Sequence, residues 1–279
     1  MKKVLLLTAA FAVVSHTLSQ QAIKSRITYG FPQEKNNMLP PKTLQDTLSP
    51  FTVNGTIALH SLVSISDAHM LKLADALKVL ANTEDVRSGS WDRIHNSFAE
   101  VAHMNVPAVY WFAHPDGSYW TLDQGKITAK LSDREYFPHL MAGQTVMGQL
   151  VVSHSTNRNT AIVAVPVYSR DNAVIGALGC SVHLDSLSAL IRKEMGGLEE
   201  KLFFFSFDAK PLVALHADPS IIFIEPMKQE DPGLKEAFIK MLSGSEGVVQ
   251  YIFRNVNRTV LYYKSPVTNW WYAFGRMEP

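Results

Sequence analysis

The chain has 279 residues, a formal net charge of +1, 47% hydrophobic residues and 18% charged residues. This composition supports buried cores and excludes a disordered chain, and the near-neutral charge argues against a broad nucleic-acid-binding face. The length suits one large domain or two modest ones. Cys180 is the only cysteine, so no disulfide can form within the chain.

The N-terminal segment has the pattern of a signal peptide. Lys2 and Lys3 precede an uncharged apolar run, Val4–Val14, and small residues follow. A run of about 11 residues fits a signal-peptide core and is short for a membrane span. We therefore predict a signal peptide over residues 1–21. Because no later stretch is apolar enough to span a bilayer, we expect a periplasmic or secreted protein; an uncleaved N-terminal anchor is the alternative.

Two helices are predicted before the first strand. Residues 22–55 are polar and contain prolines, which indicates an extended lead-in. Apolar residues at intervals of three or four then predict one long amphipathic helix over residues 56–84. The same spacing predicts a second helix from about Ser90 to His103.

From Pro107 the apolar pattern changes to the alternation that is typical of strands. The run "AVYWFAHPDGSYWTL" predicts a hairpin that turns at residues 115–117. A short helix follows in "LSDREYFPHL", where Ser132 and Asp133 resemble a helix start. Three further strands and a helix capped by Asp185 complete a first unit, which we place at residues 85–195.

The second half of the chain repeats this plan. Phe137 and Pro166 have counterparts in Phe238 and Pro266, about 100 residues later, which indicates two copies of one unit rather than a solenoid. The second copy covers residues 196–279. The predicted fold class is therefore α/β of the α+β type: a long N-terminal helix and two tandem PAS-like units, each an antiparallel sheet of about five strands.

Five segments taken in order resemble a known family: "VYWFAHPDGSYW", "LSDREYF", "AGQTVMG", "VAVPVYSRDNAVIGALGCSVHLDSL" and "YYKSPVTNWWYAFG". Together they resemble the double Cache domain, the tandem PAS-like extracytoplasmic sensor module of bacterial chemoreceptors and sensor kinases. The resemblance covers the chain from about Thr56 onward. It implies a long helix along both units and a small-molecule ligand in the first, membrane-distal-type unit.

The resemblance also bears on partners. In most members a transmembrane helix and a signalling domain follow, whereas this sequence stops a few residues after its last predicted strand. We therefore expect a sensing module that relays to a separate membrane receptor or sensor kinase, as in chemotaxis. A homodimer through the long helix is a further expectation.

The family's amino-acid-binding members suggest where a ligand would lie. Their arginine, which meets the ligand carboxylate, corresponds to Arg134, and their aromatic pair corresponds to Tyr136 and Phe137. A guanidinium offers a planar fork of donors that matches a carboxylate. Ser153 and Ser181 stand where those members have aspartates, and the ligand ammonium would lack a partner. The expected ligand is therefore anionic or neutral, and not an α-amino acid.

Strand alternation adds further candidates. Trp111 and Trp120 lie on the predicted hairpin and could form cavity walls, while Ser181 and His183 share one strand face and Cys180 the other. The full prediction of ligand-binding residues is Trp111, Trp120, Arg134, Tyr136, Ser153, Ser181 and His183. The alternatives are a surface ion pair of Arg134 with Asp133 or Glu135 and ordinary core packing of the aromatics. Packing is favoured for Phe137.

Catalytic, metal and cofactor motifs are not found in the sequence. The histidines lack the i, i+4 spacing of a helical zinc pair, and there is no nucleophile elbow, Walker loop or Rossmann glycine cluster. We therefore predict a protein that is not an enzyme and needs no cofactor or metal. The alternatives are a ligand-free protein-interaction module of the cell envelope and, third, an enzyme of unknown type.

Overall fold

The computed structural model describes residues 54–278. The predicted signal peptide and nearly all of the extended lead-in lie outside these described residues. Within residues 54–278, no helix combines the length and apolar character that crossing a membrane requires.

The first element is the long helix α1, Gly55–Ala81. It begins at Asn54, whose side-chain oxygen accepts hydrogen bonds from the backbone N–H groups of Thr56 and Ile57. This capping satisfies two of the donors that a helix start leaves free. One stripe of α1 is fully buried and includes Leu62, Met70, Leu73, Ala74 and Leu77.

The first unit contains a six-stranded sheet in which every neighbouring pair is antiparallel. Helices α2 (Glu84–Arg87) and α3 (Trp91–Ala102) precede it. The strands, in the order β3-β2-β1-β6-β5-β4, are β1 (Ala108–Ala113), β2 (Tyr119–Thr121), β3 (Gly125–Ile127), β4 (Val146–Val152), β5 (Asn159–Tyr168) and β6 (Val174–His183). The short helix α4 (Phe137–Met141) precedes β4, and α5 (Leu184–Glu194) follows β6.

The second unit contains a five-stranded antiparallel sheet in the order β8-β7-β11-β10-β9. Its elements are β7 (Leu202–Phe207), β8 (Val213–His216), α6 (Pro232–Leu242), β9 (Glu246–Phe253), β10 (Val256–Lys264) and β11 (Trp271–Glu278). Two 3-10 turns, Pro219–Ile221 and Pro226–Lys228, lie between β8 and α6. The predicted architecture, with a long helix and two antiparallel sheets, is confirmed. The extra strand of the first sheet is β3, a three-residue edge strand.

Two local predictions are wrong. Ser132 and Asp133 do not start a helix, because residues 131–136 form hydrogen-bonded turns and α4 begins only at Phe137. Pro138 is compatible with this start, since it lies in the first turn of α4, where its missing N–H and fixed φ fit a helix. Asp185 does not cap α5 but lies inside its first turn, where its carboxylate pairs with Arg158.

The core is layered around α1. One continuous apolar cluster joins α1 to the inner faces of both sheets and includes residues as far apart as Val163 and Phe274. The outer face of each sheet carries its own smaller cluster, which α4 and its preceding turn cover in the first unit and α6 covers in the second. Each of these two outer faces also lines a cavity.

Candidate functional site

The first hairpin supplies one wall of the candidate site. Trp111 on β1 is buried, and its ring lies directly on Gly179 of β6, where an added Cβ would come within 2.2 Å of a ring carbon. The strand register pairs Ala113 with Tyr119 and Phe112 with Trp120. Alternation then places Tyr119 on the face of Trp111 and places Trp120 on the opposite face.

Arg134 enters the site from the turn that precedes α4. Its backbone N–H donates to the carbonyl of Leu131, and its guanidinium Nη2 donates to the carbonyl of Val152 at 2.8 Å. The neighbouring carboxylates are paired elsewhere, Asp133 with His154 and Glu135 with Lys210. The surface ion pair considered for Arg134 is therefore not formed, and its half-buried guanidinium is held by a backbone oxygen.

Two tyrosines lie beside this guanidinium. Tyr136 is 3% exposed, and its ring centroid is 6.5 Å from that of Trp111. Burial raises the pKa of Tyr119 to about 12, while the nearby Arg134 charge opposes that rise. Burial also raises the pKa of Tyr136 well above its ordinary value. Both phenols are therefore neutral at physiological pH and can donate or accept hydrogen bonds.

The opposite wall comes from three strands. Ser153 follows β4 and is buried, with its hydroxyl 3.1 Å from that of Ser155. Ser181 on β6 and Ile162 on β5 are register partners and are also buried. Val151 completes this wall. The positions that we compared with the family's ammonium-binding residues therefore do face the cavity.

Together these residues enclose a cavity of about 10 Å³, with space for about one water molecule. Its lining residues are Trp111, Tyr119, Leu131, Arg134, Tyr136, Val151, Ser153, His154, Ser155, Ile162 and Ser181. No carboxylate is among them. The side chains themselves occupy most of the space in which a solute would bind.

Five of the seven predicted residues meet at this cavity: Trp111, Arg134, Tyr136, Ser153 and Ser181. Trp120 and His183 do not. Trp120 is half-buried on the other sheet face, 5.1 Å from the ring of His114. His183 lies at the end of β6, where its Nδ1 is 3.0 Å from the Arg158 guanidinium. Burial and the Arg158 charge lower the pKa of His183.

Tyr119 and His154 are lining residues that our reading of the sequence missed. In this hairpin each residue pairs with one of the same parity, odd with odd or even with even. Because side chains alternate along a strand, the odd-numbered residues point to one face and the even-numbered residues to the other. Counting outward from the turn at residues 115–117 would have grouped Trp111 with Tyr119 and excluded Trp120. His154 follows Ser153 in a turn, and no simple sequence signal places it.

A metal centre has no visible basis in the described part of the chain. Among residues 54–278, no group of three or more histidine, cysteine, aspartate or glutamate side chains could hold an ion. Cys180 is fully buried on the α1 side of its sheet, and burial raises its thiol pKa far above the ordinary value. This thiol is therefore an inert core group.

The fold has many counterparts among solved structures. The sensor domain of the histidine kinase DctB from V. cholerae matches with a TM-score of 0.62 and 13% identity, covering 84% of this chain and 98% of that one. The ligand-binding domain of the Campylobacter jejuni chemoreceptor Tlp3, solved with 4-methylisoleucine, matches with a TM-score of 0.59 and 13% identity, covering 84% and 91%. The chain has the double Cache fold.

Part of an extracellular ligand-binding receptor from Desulfohalobium retbaense also matches, with a TM-score of 0.63 and 15% identity. The match covers 80% of this chain but only 40% of that receptor. No family model matches the sequence, and no curated protein matches it significantly. At these identities the likeness concerns the fold, and the ligand has to be argued from the site.

Proposed function

We propose that this protein is an exported sensing or binding module that takes a small anionic or neutral solute in its first unit. The observation that carries the proposal is the convergence of the Arg134 guanidinium with Trp111, Tyr136, Ser153 and Ser181 at one cavity. A single cation among aromatic walls matches a carboxylate or a similar acceptor group, because excluding water strengthens the pairing. We propose a binding role rather than an enzymatic one.

The lining also supports the exclusion of α-amino acids. An α-ammonium group needs a carboxylate or several strong acceptors when it leaves water. Val151, Ser153 and Ser181 offer only a methyl surface and two hydroxyls, and no Asp or Glu lines the cavity. The Tlp3 domain, which was solved with 4-methylisoleucine, shares the fold at only 13% identity. The proposed ligand class of this protein therefore differs from that ligand although the fold is shared.

Binding requires the cavity to open. At about 10 Å³ it is too small for an organic solute, and Arg134 already donates to the Val152 carbonyl. A ligand carboxylate would replace that carbonyl as the acceptor while the turn at residues 131–136 moves outward. The apparent affinity is then reduced by the fraction of molecules that are open, and the ligand shifts the population toward the open form.

Two contacts link this site to the second unit. Glu135, next to Arg134, pairs with Lys210 in the hairpin turn of the second unit at 2.6 Å. Trp270, in the loop before β11, donates its indole N–H to the carbonyl of Gly148 in β4 at 2.9 Å. We propose that a membrane receptor or sensor kinase reads the movement that they transmit.

The small cavity volume favours one alternative, a ligand-free protein-interaction module. In that case Trp111 and Tyr136 simply fill the outer core of the first unit. The two functions differ in whether any solute stabilises the protein, because only a binding site responds to ligand concentration.

The test is a thermal-shift screen of the purified protein against organic acids, amino acids, amines, sugars and nucleobases. A ligand at 100 times its Kd should stabilise the protein by about 2.7 kcal/mol. We expect an anionic or neutral solute to raise the Tm of the wild type and not that of Arg134→Gln. Arg170→Gln is the matched control, since Arg170 is an exposed arginine of the same unit that pairs with Glu84.

Three results would count against this proposal. An α-amino acid that binds through Arg134 would overturn the ligand class. A solute that stabilises Arg134→Gln as strongly as the wild type would remove Arg134 as the anchor. The absence of any stabilising solute across the panel would favour the ligand-free interaction module.

A further inference from the structure

The second unit carries a larger cavity, of about 220 Å³, on the face of its sheet that points away from α1. An apolar cavity of roughly 150 Å³ holds a benzene-sized molecule. The second cavity therefore has room for one substituted ring without any opening. It lies between β7, β9 and α6, and the segment at residues 218–229, which contains both 3-10 turns, lies over it.

Most of the lining is apolar and aromatic. Its aromatic residues are Phe203, Phe205, Phe238, Tyr251 and Phe253, and its aliphatic residues are Val213, Ile221, Ile224, Pro226 and Leu234. The rings of Phe205 and Phe238 are stacked with centroids 5.5 Å apart. These walls favour a flat hydrophobic body, because aromatic faces gain contact area at little entropic cost.

Arg258 on β10 brings a positive charge to this apolar space. Its guanidinium carbon lies 4.9 Å from the ring centroid of Phe203 and 5.0 Å from that of Phe253, so two aromatic residues hold it in place. Its Nε is buried and has no hydrogen-bond partner among the residues that the structure describes. The same side chain lies beside the Tyr251 hydroxyl, so that phenol is the neutral neighbour of its charge. A buried N–H without an acceptor is costly, and an anion on the guanidinium would offset that cost by pairing with its charge.

The other polar lining residues leave Arg258 as the dominant charge. Asp218 is exposed, and its carboxylate accepts a hydrogen bond from the backbone N–H of Ser220. His216 accepts from the backbone N–H of Asp218 through Nδ1, and burial lowers its pKa, so the ring is neutral near pH 7. Arg254 is exposed and adds a second positive charge.

We propose that this cavity is a second binding site, which takes a small aromatic monocarboxylate with its ring among the phenylalanines and its carboxylate on Arg258. A neutral ring would fill the walls but leave the charge of the Arg258 guanidinium without an anionic partner. A short aliphatic acid would pair with Arg258 but leave the apolar walls uncovered. Both parts of the ligand are therefore needed, and the site does not depend on the cavity of the first unit.

The probe is benzoate, titrated calorimetrically into the purified protein near neutral pH, with phenylacetate as a longer acid. Benzyl alcohol has the aromatic ring without the carboxylate, and acetate has the carboxylate without the ring. Both should bind much more weakly than benzoate. Arg258→Gln should lower the benzoate affinity at least about tenfold, the loss expected for charged hydrogen bonds. Arg258→Lys should lose less, since it keeps the charge and gives up the planar fork.

Three further variants locate the site. Ile224→Trp fills the cavity and should abolish benzoate binding. The exposed Arg170→Gln should leave the affinity unchanged, and Arg134→Gln shows whether any of the measured benzoate binding occurs in the first unit. The ligand-free Tm of each variant shows whether it is folded, so a folding defect in Arg258→Gln leaves Ile224→Trp as the deciding variant.

The proposal is overturned if neither benzoate nor phenylacetate binds the wild type. It is also overturned if benzyl alcohol binds as well as benzoate, or if Arg134→Gln rather than Arg258→Gln removes binding. The last result would place the aromatic acid in the first unit and would support the proposed function while refuting this one.

Discussion

Arg134 lines a cavity, whereas Asp67 is a buried carboxylate on α1. Arg134 is half-buried and holds a backbone carbonyl that a ligand could replace. Asp67 on α1 is 8% exposed, and the hydroxyl of Ser265 lies 2.8 Å from both of its carboxylate oxygens. Burial is the larger effect on Asp67 and raises its pKa to about 6, while the Ser265 hydrogen bond opposes that rise.

The buried Asp67 predicts a specific pH dependence of stability. Its pKa in the folded state lies above the ordinary value of 3.8, so folding favours the protonated form. Its contribution to stability is therefore fully present below about pH 4 and is lost as the pH rises through about 6. We expect the free energy of unfolding of the wild type, measured relative to Asp67→Asn, to increase when the pH falls from 7 to 5.

Urea unfolding of both proteins at several pH values measures this difference. The Asn side chain keeps an oxygen that can accept the Ser265 hydrogen bond, but it does not titrate. Asp67→Asn is therefore the matched reference for the wild type. A difference that stays flat between pH 5 and 7 would contradict the raised pKa of Asp67.

At the scale of elements, two glycines allow tryptophan rings to approach the backbone closely. The ring of Trp111 on β1 can lie flat on β6 because residue 179 has no side chain. A second close approach occurs at the β4 bulge, where Gly148 has φ +80° and its carbonyl accepts the Trp270 indole N–H. Glycine adopts such a backbone without steric cost, and an added Cβ would be 3.2 Å from the Trp270 ring.

Gly179→Ala tests whether the first close approach sets the position of the cavity wall. The new Cβ overlaps the Trp111 ring, so we expect a loss of stability of about 1–3 kcal/mol, typical of overpacking. The smaller ring of Trp111→Phe should relieve part of this overlap. The cost of Gly179→Ala should then be lower in the Trp111→Phe background, by at least about 0.5 kcal/mol.

Urea unfolding of the wild type, the two single variants and the double variant completes this cycle. Equal costs of Gly179→Ala in the two backgrounds would show that the overlap is absorbed elsewhere, for example by a shift of β6.

At the scale of the whole molecule, α1 joins the two units. The same apolar cluster contains Leu73 of α1, Val163 of the first sheet and Phe274 of the second. Residues 54–278 also lie within one compact unit by their contacts. A structural change in either sheet therefore alters packing against the helix that both sheets share.

Leu73→Ala should consequently weaken both units together. Leu73 is fully buried, and truncating such a leucine costs about 2–5 kcal/mol. We expect hydrogen exchange of the amides in β6 and in β11 to accelerate by similar factors. Leu71→Ala, at a partly exposed position of the same helix, is the control and should change little. Faster exchange confined to one sheet would show that the units unfold separately.

Local patterns in the sequence determined much of this protein. The spacing of apolar residues on α1 and the turn at residues 115–117 predict their elements, because helix and strand periods are properties of the backbone. The repeated plan predicts two tandem sheets, and the resemblance to double Cache domains places Arg134, Ser153 and Ser181 on one cavity. The helix and the turn need only the order of residues along a short segment, whereas the repeat and the resemblance need several segments compared in order.

Only the tertiary structure decided which side chains share a space. The count outward from the hairpin turn is enough to exclude Trp120, but His183 lies outside the cavity because β6 ends at that residue, which the sequence pattern does not show. The cavity of about 10 Å³ in the first unit and that of about 220 Å³ in the second depend on how many side chains pack at once. Arg258 joins Phe203 and Phe253 from three different strands, a proximity that long-range strand pairing creates.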